Sequence, residues 1–321
     1  MHINLRPSVA ILLLLTAFTA RAADDSDKWK HLYRAATKAM EKNEYNAAES
    51  LLIAASEIAE KFGPNDERYS DTFRSLGDAS THLHHFGIAA AAYARLADAD
   101  GERLGTNDIK VANDLLQLVE VAGFQQDYQN GTDAMDRATS IVRRNVGNNC
   151  YAMGICESHR ADLELQEGHH AAAESNYLHA IKLLDSEQTV CSFSGKGLMA
   201  KGTVFAPSHL AVALTLNQLG ICQTQEKKYD EAQASLRRSI KLTQWIFCGS
   251  SSPALVNPLY NLAIACFKGG DLADAESAAR RALSIIDNYN RSDPTRVWIQ
   301  KVLSATLIAE GKPAEAKKFA R

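Results

Sequence analysis

Histidine and cysteine are the residue types in this chain best placed to do chemistry. His82, His84 and His85 fall in the stretch THLHHF, and His169 and His170 form a second cluster. Imidazoles grouped in this way are common zinc ligands. Both clusters, however, lie at or near turns between paired helices, two structural units apart. Helices pack about 8–10 Å apart, whereas metal–ligand bonds run about 2 Å, so the clusters cannot share one ion. They are expected to be solvated turn histidines, with no metal.

The chain has six cysteines. Cys222 and Cys266 occupy nearly equivalent places in two first helices, where a small apolar side chain is needed, and are expected as buried thiols. Cys191 and Cys248 fall in loops of adjacent units, where a bridge is geometrically open, and Cys150 and Cys156 are a candidate local pair. Spacing alone does not select among the connectivities. There is no C-x-x-C, Gly-rich phosphate loop, G-x-S-x-G, H-E-x-x-H or calcium-loop pattern. No catalytic residue or cofactor is therefore expected, and the chain does not read as an enzyme.

What remains is the frame. The 321 residues are 46% hydrophobic and 23% charged, an ordinary globular composition. A net charge of −3 does not point to nucleic acid. The first 22 residues stand apart: Arg6 precedes the apolar run SVAILLLLTAFTA, which closes on Ala20-Arg21-Ala22. That run is short for a bilayer span of about 20 residues and has the form of a signal peptide cleaved near Ala22. The expectation is an exported protein, periplasmic or secreted, with no membrane contact beyond the leader and a mature chain of 23–321. Asn130-Gly131-Thr132 and Asn290-Arg291-Ser292 are glycosylation patterns at the frequency chance would give, so bacterial and eukaryotic hosts both stay open.

One pattern runs through the mature chain. An aromatic or bulky residue is followed three positions later by a small one at Tyr45/Ala48, Phe86/Ala89, Tyr128/Gly131, His170/Ala173, Tyr229/Ala232, Leu272/Ala275 and Pro313/Ala316. The small residues are separated by 41, 42, 42, 59, 43 and 41 positions. A fixed period of this size marks a stacked-repeat solenoid, and the long interval contains an insertion at 186–207, rich in Gly and Ser, that reads as a surface loop.

Packing positions follow each small residue at +4 and +7, as in Leu52/Ala55, Tyr93/Leu96 and Leu236/Ser239, all on one helical face. Twelve positions earlier lies another small site: Ala36, Gly77, Ala161, Gly220, Ala263 and Ser304. Small residues facing each other let two antiparallel helices approach, so each unit is a helical hairpin. Between hairpins, Gly63-Pro64-Asn65-Asp66, Gly105-Thr106-Asn107-Asp108 and Ser292-Asp293-Pro294 supply helix stops and caps. No sheet is expected.

This pattern resembles the tetratricopeptide repeat in the 42-residue form of kinesin light chain. The stretches 216–242 and 259–285 carry it most clearly, while Val119, Gly131 and Arg160 depart from it in the third and fourth units. The resemblance implies an all-α, right-handed superhelical solenoid of six full hairpins and a truncated seventh, with a concave groove along the first helices. Carried over, its groove positions are Lys30, Tyr33, Asp71, Arg74, Asp78, His82, Glu120 and Phe124 in the first half. In the second half they are Asn217, Ile221, Tyr260, Ile264, Phe267, Lys268, Trp298, Lys301 and Ile308. The second half is apolar and edged by Lys268 and Lys301, which suits an apolar peptide with a carboxylate. The function expected is a non-enzymatic scaffold or adaptor that binds a protein or peptide. The alternative is a structural homo-oligomer, such as a homodimer, joined through its apolar C-terminal repeats.

Overall fold

The computed structural model describes residues 7–148, 151–185, 208–247, 249–291 and 293–319, with side chains from residue 24 onward except Ser208. Cys150, Cys191, Cys248 and the 186–207 insertion lie outside the described residues. Within them are fourteen α-helices and no strand. No described helix is long and apolar enough to cross a membrane.

The chain groups into two compact units, one ending at Gln125 and one beginning at Gln126. The first holds α1 (Pro7–Glu41), α2 (Tyr45–Phe62), α3 (Glu67–His82), α4 (Phe86–Leu104) and α5 (Ile109–Gln125). The second holds α6 (Tyr128–Val146), α7 (Tyr151–Glu167), α8 (His170–Leu184), α9 (Ser208–Gln225) and α10 (Tyr229–Ile246). It continues with α11 (Val256–Gly269), α12 (Leu272–Tyr289), α13 (Thr295–Ala309) and the single turn α14 (Pro313–Ala316). Each unit is by itself a stack of helices in which neighbours in sequence pack against each other. The expected cleavage point near Ala22 falls inside α1.

The periodic positions are the core. Ala48, Ala89, Ala173, Ala232 and Ala275 are completely buried, and Ala316 nearly so. The +4 residues Leu52, Tyr93, Met135, Tyr177, Leu236 and Ala279 are buried with them. The small site twelve positions earlier makes room for that +4 side chain. A Cβ on Gly77 would sit 2.5 Å from the Tyr93 ring, and one on Gly220 would sit 2.5 Å from Leu236 Cγ. The departures keep the register: Val119 and Gly131 are buried in place, and Arg160 turns out to pair with Asp136 at 2.8 Å.

Turn chemistry explains why the hairpins close at a fixed place. Five positions before each small residue the backbone is left-handed, at Asn43, His84, Gln126, Gly168, Lys227, Gly270 and Gly311, with φ between 59° and 93°. Within each unit that conformation lets the chain reverse into the second helix. Between hairpins, Asp66, Asp108 and Asp293 each accept the backbone N–H two residues on, at 2.8–2.9 Å. These bonds satisfy N–H groups that a helix start leaves without partners.

Candidate functional site

In the second unit, the successive first helices α9, α11 and α13 lie side by side and leave a depression of about 340 Å³. Its lining is Asn217, Gln218 and Ile221 from α9, Asn257, Tyr260 and Asn261 from α11, and Thr295 and Trp298 from α13. Four of the residues expected to form a groove, Asn217, Ile221, Tyr260 and Trp298, are thus brought together. Among the described residues no charged side chain lines it.

Its polar groups form a connected line. Asn261 Nδ2 donates to Asn217 Oδ1 at 3.0 Å, and Asn217 Nδ2 to Gln218 Oε1 at 3.4 Å. Gln218 Nε2 donates to Asp162 Oδ1 on α7 at 3.2 Å, and the Tyr177 hydroxyl donates to the same oxygen at 2.6 Å. Burial pushes the Asp162 carboxyl up to about 6, although both donors favour its charged form. Burial and the adjacent Asp162 raise the Tyr177 hydroxyl so far that it stays a donor. The carboxamides are therefore held from one end, and each still has hydrogen-bonding capacity beyond these bonds.

The other expected residues fall elsewhere. Phe267 packs partly against the core, and Ile264 is half-buried. Lys268 is exposed outside the depression, and Lys301 places its ammonium 5.7 Å from the Trp298 ring centroid. Gln218, Asn257, Asn261 and Thr295 were not anticipated. Gln218 and Asn261 lie fourteen residues before the small site, and Asn257 lies eighteen before, one helical turn from Asn261 on the same face.

In the first unit the expected groove residues are largely committed to partners within the protein. Arg74 reaches Asp100 and Asp114, Asp78 accepts from the Tyr93 hydroxyl at 2.8 Å, and Tyr33 bonds Ser75 at 3.1 Å.

The histidines are turn residues. His82 stacks on Tyr45, His84 occupies the left-handed position, and His85 Nδ1 meets the Glu49 carboxylate at 2.9 Å. His169 Nδ1 lies 2.8 Å from Glu164 and 3.6 Å from Glu167, at the turn before α8. Cys222 and Cys266 are buried, and burial pushes both thiols up to about 11, so neither is a nucleophile at neutral pH. Cys156 is likewise buried.

Residues 213–244, most of α9 and α10, match the family model of the tetratricopeptide repeat. The chain carries a tetratricopeptide repeat. No curated protein sequence matches the chain. Among solved structures, BtubC (BKLC) from P. vanneervenii is similar with a TM-score of 0.57 at 17% identity, over 74% of this chain and 86% of that one. A putative kinesin light chain from Podosopora anserina with nearly identical TPR-like repeats gives 0.52 at 16%, over 66% and 92%. NprR in complex with its cognate peptide NprX gives 0.55 at 14%, over 92% and 80%. At such identities the likeness is one of fold, and the fold is a tetratricopeptide-type helical solenoid.

Proposed function

We propose that this protein is a non-enzymatic interaction scaffold that holds an extended peptide segment of a partner along α9, α11 and α13. The observation that carries the reading is the line of carboxamides Asn217, Gln218 and Asn261 with Asn257 beside it, flanked by Tyr260 and Trp298. A carboxamide both donates and accepts, so a row of them can pair with the N–H and C=O groups of an extended main chain. The neighbouring rings offer faces for apolar side chains. With no charge among the described lining residues, the segment it suits is neutral and apolar. NprR, of similar fold, was solved with a peptide bound, which is in keeping with this use. We further propose that the protein acts after export, on the strength of the apolar leader ending at Ala20-Arg21-Ala22.

The test is a peptide array probed with the protein and with Asn261→Ala and Tyr260→Ala. Sequences captured by the parent should lose at least tenfold in affinity with either variant. Arg237→Ala, in a separate depression, should bind like the parent. Unchanged capture by both groove variants removes the proposal.

Self-association is the second reading. Trp298, Val297 and Ile308 on α13 are 58%, 45% and 60% exposed, an apolar display that a second copy could cover. Sedimentation across a hundredfold range of concentration separates the two, since a monomer throughout eliminates self-association.

A further inference from the structure

Asp100 on α4 and Asp114 on α5, in the first unit, are both fully buried, and their carboxyls lie within hydrogen-bonding reach of each other. Arg74 on α3 donates to both, to Asp114 Oδ1 at 3.3 Å and to Asp100 Oδ2 at 3.4 Å. Asp100 is further supplied by Ser70 Oγ at 2.6 Å and by Arg103 at 2.9 Å. Asp114 has a further side-chain bond from its neighbour Asn113, but its Oδ2 is sealed from solvent and meets no donor among the described residues.

Two buried carboxylates side by side do not both ionise readily, and an oxygen without a donor adds to the cost. The asymmetry decides which one carries the charge. Burial works against ionisation of Asp100, but the bonds from Ser70 and Arg103 outweigh it and hold that carboxyl low. Burial and the Asp100 charge push Asp114 up to about 7, against the pull of Arg74. The groups around the pair are Arg74, Asp71 and Glu67 from α3 and Arg103 from α4. With Asp100 ionised they already hold more acid than base, so a second carboxylate has only the Arg74 guanidinium that it shares with Asp100. A proton on Asp114 removes that charge and supplies the missing donor between the two side chains.

We propose that the Asp100–Asp114 pair is a proton-operated latch between α4 and α5: sharing one proton it holds the helices together, and losing that proton frees α5 to open locally. Opening exposes Asp114 to water, where its carboxyl returns to its ordinary range, so the opening equilibrium climbs with pH until the closed form has itself lost the proton. Hydrogen exchange on the full chain between pH 5 and 8, corrected for intrinsic rates, reads this directly. Opening of α5 should rise by up to tenfold per pH unit and level off above neutrality, while α11 in the second unit should not follow. Asp114→Asn, which keeps the shape and offers an N–H to Asp100, should flatten the α5 profile. A carboxyl carbon titration of the parent protein should show Asp114 changing near pH 7. The proposal fails if α5 and α11 share one pH profile, if Asp114→Asn keeps the parent slope, or if Asp114 titrates near pH 4. Should Asp114→Asn not fold, the parent's exchange profile and carboxyl titration decide by themselves.

Discussion

The Tyr177 hydroxyl donates to Asp162 Oδ1 at 2.6 Å, and in the first unit Tyr93 donates to Asp78 at 2.8 Å across the same sequence offset of 15. In both hairpins a +4 tyrosine of the second helix reaches an acid eleven positions before the small residue. In the fourth hairpin the same acid anchors Gln218 and so the carboxamide line. Packing between paired helices therefore reaches the side chains of the groove.

That link makes the second unit sensitive to pH. Burial raises the Asp162 carboxyl from 3.8 to about 6, so between those values the folded chain keeps a proton that the unfolded chain has released. The group's contribution is complete below pH 3.8, is lost as pH rises through about 6 and is level above. Asp162→Asn should remove this slope, worth about 3 kcal/mol over the window, from urea midpoints measured at pH 4 to 7. Tyr177→Phe leaves the buried carboxylate with the longer Gln218 bond alone and should cost about 1–3 kcal/mol at pH 7.

Close approach of paired helices depends on glycine at two of the small sites. Gly77→Ala drives a methyl into the Tyr93 ring and Gly220→Ala into Leu236. Each should lower stability by about 1–3 kcal/mol through overpacking. Gly87→Ala, whose methyl would meet only the Gln125 side chain at 3.6 Å, is the control and should cost less than either. Equal denaturation midpoints for all three would count against this packing.

Within the units, three hairpin turns place a residue other than glycine in the left-handed conformation, at Asn43, His84 and Lys227. At His84, with φ of 59°, glycine relieves a strain of about 1–2 kcal/mol. His84→Gly should therefore raise the unfolding free energy by about 0.5–1 kcal/mol, net of the flexibility it adds. Gly270→Ala, at φ of 92°, should lower it by a similar amount. Calorimetry of the two variants gives both signs in one experiment.

The repeat was legible because each hairpin imposes the same demand at the same place. A small residue must sit wherever two helices touch, and Ala48, Ala89, Ala173, Ala232 and Ala275 meet that demand at a stride of 41–43 residues per unit, broken only by the 186–207 insertion. The groove was legible only in part. Ile221, Tyr260 and Trp298 stood out as apolar residues on a wet face, whereas Gln218, Asn257 and Asn261 look like any solvated helix surface until adjacent helices bring them into line. Asp114 was hidden for the same reason. Its partners Arg74 and Asp100 lie 40 and 14 residues away, and only the stacking of α3, α4 and α5 makes them one cluster.

A photo-crosslinking side chain at position 260, compared with one at Gln244 in the separate depression formed with Arg237 and Asp274, tests the central claim most directly. With the captured peptide present, position 260 should form the covalent adduct, position 244 should form none, and Asn261→Ala should abolish the first. Adducts at 244 alone, or equally at both positions, would contradict a groove along α9, α11 and α13.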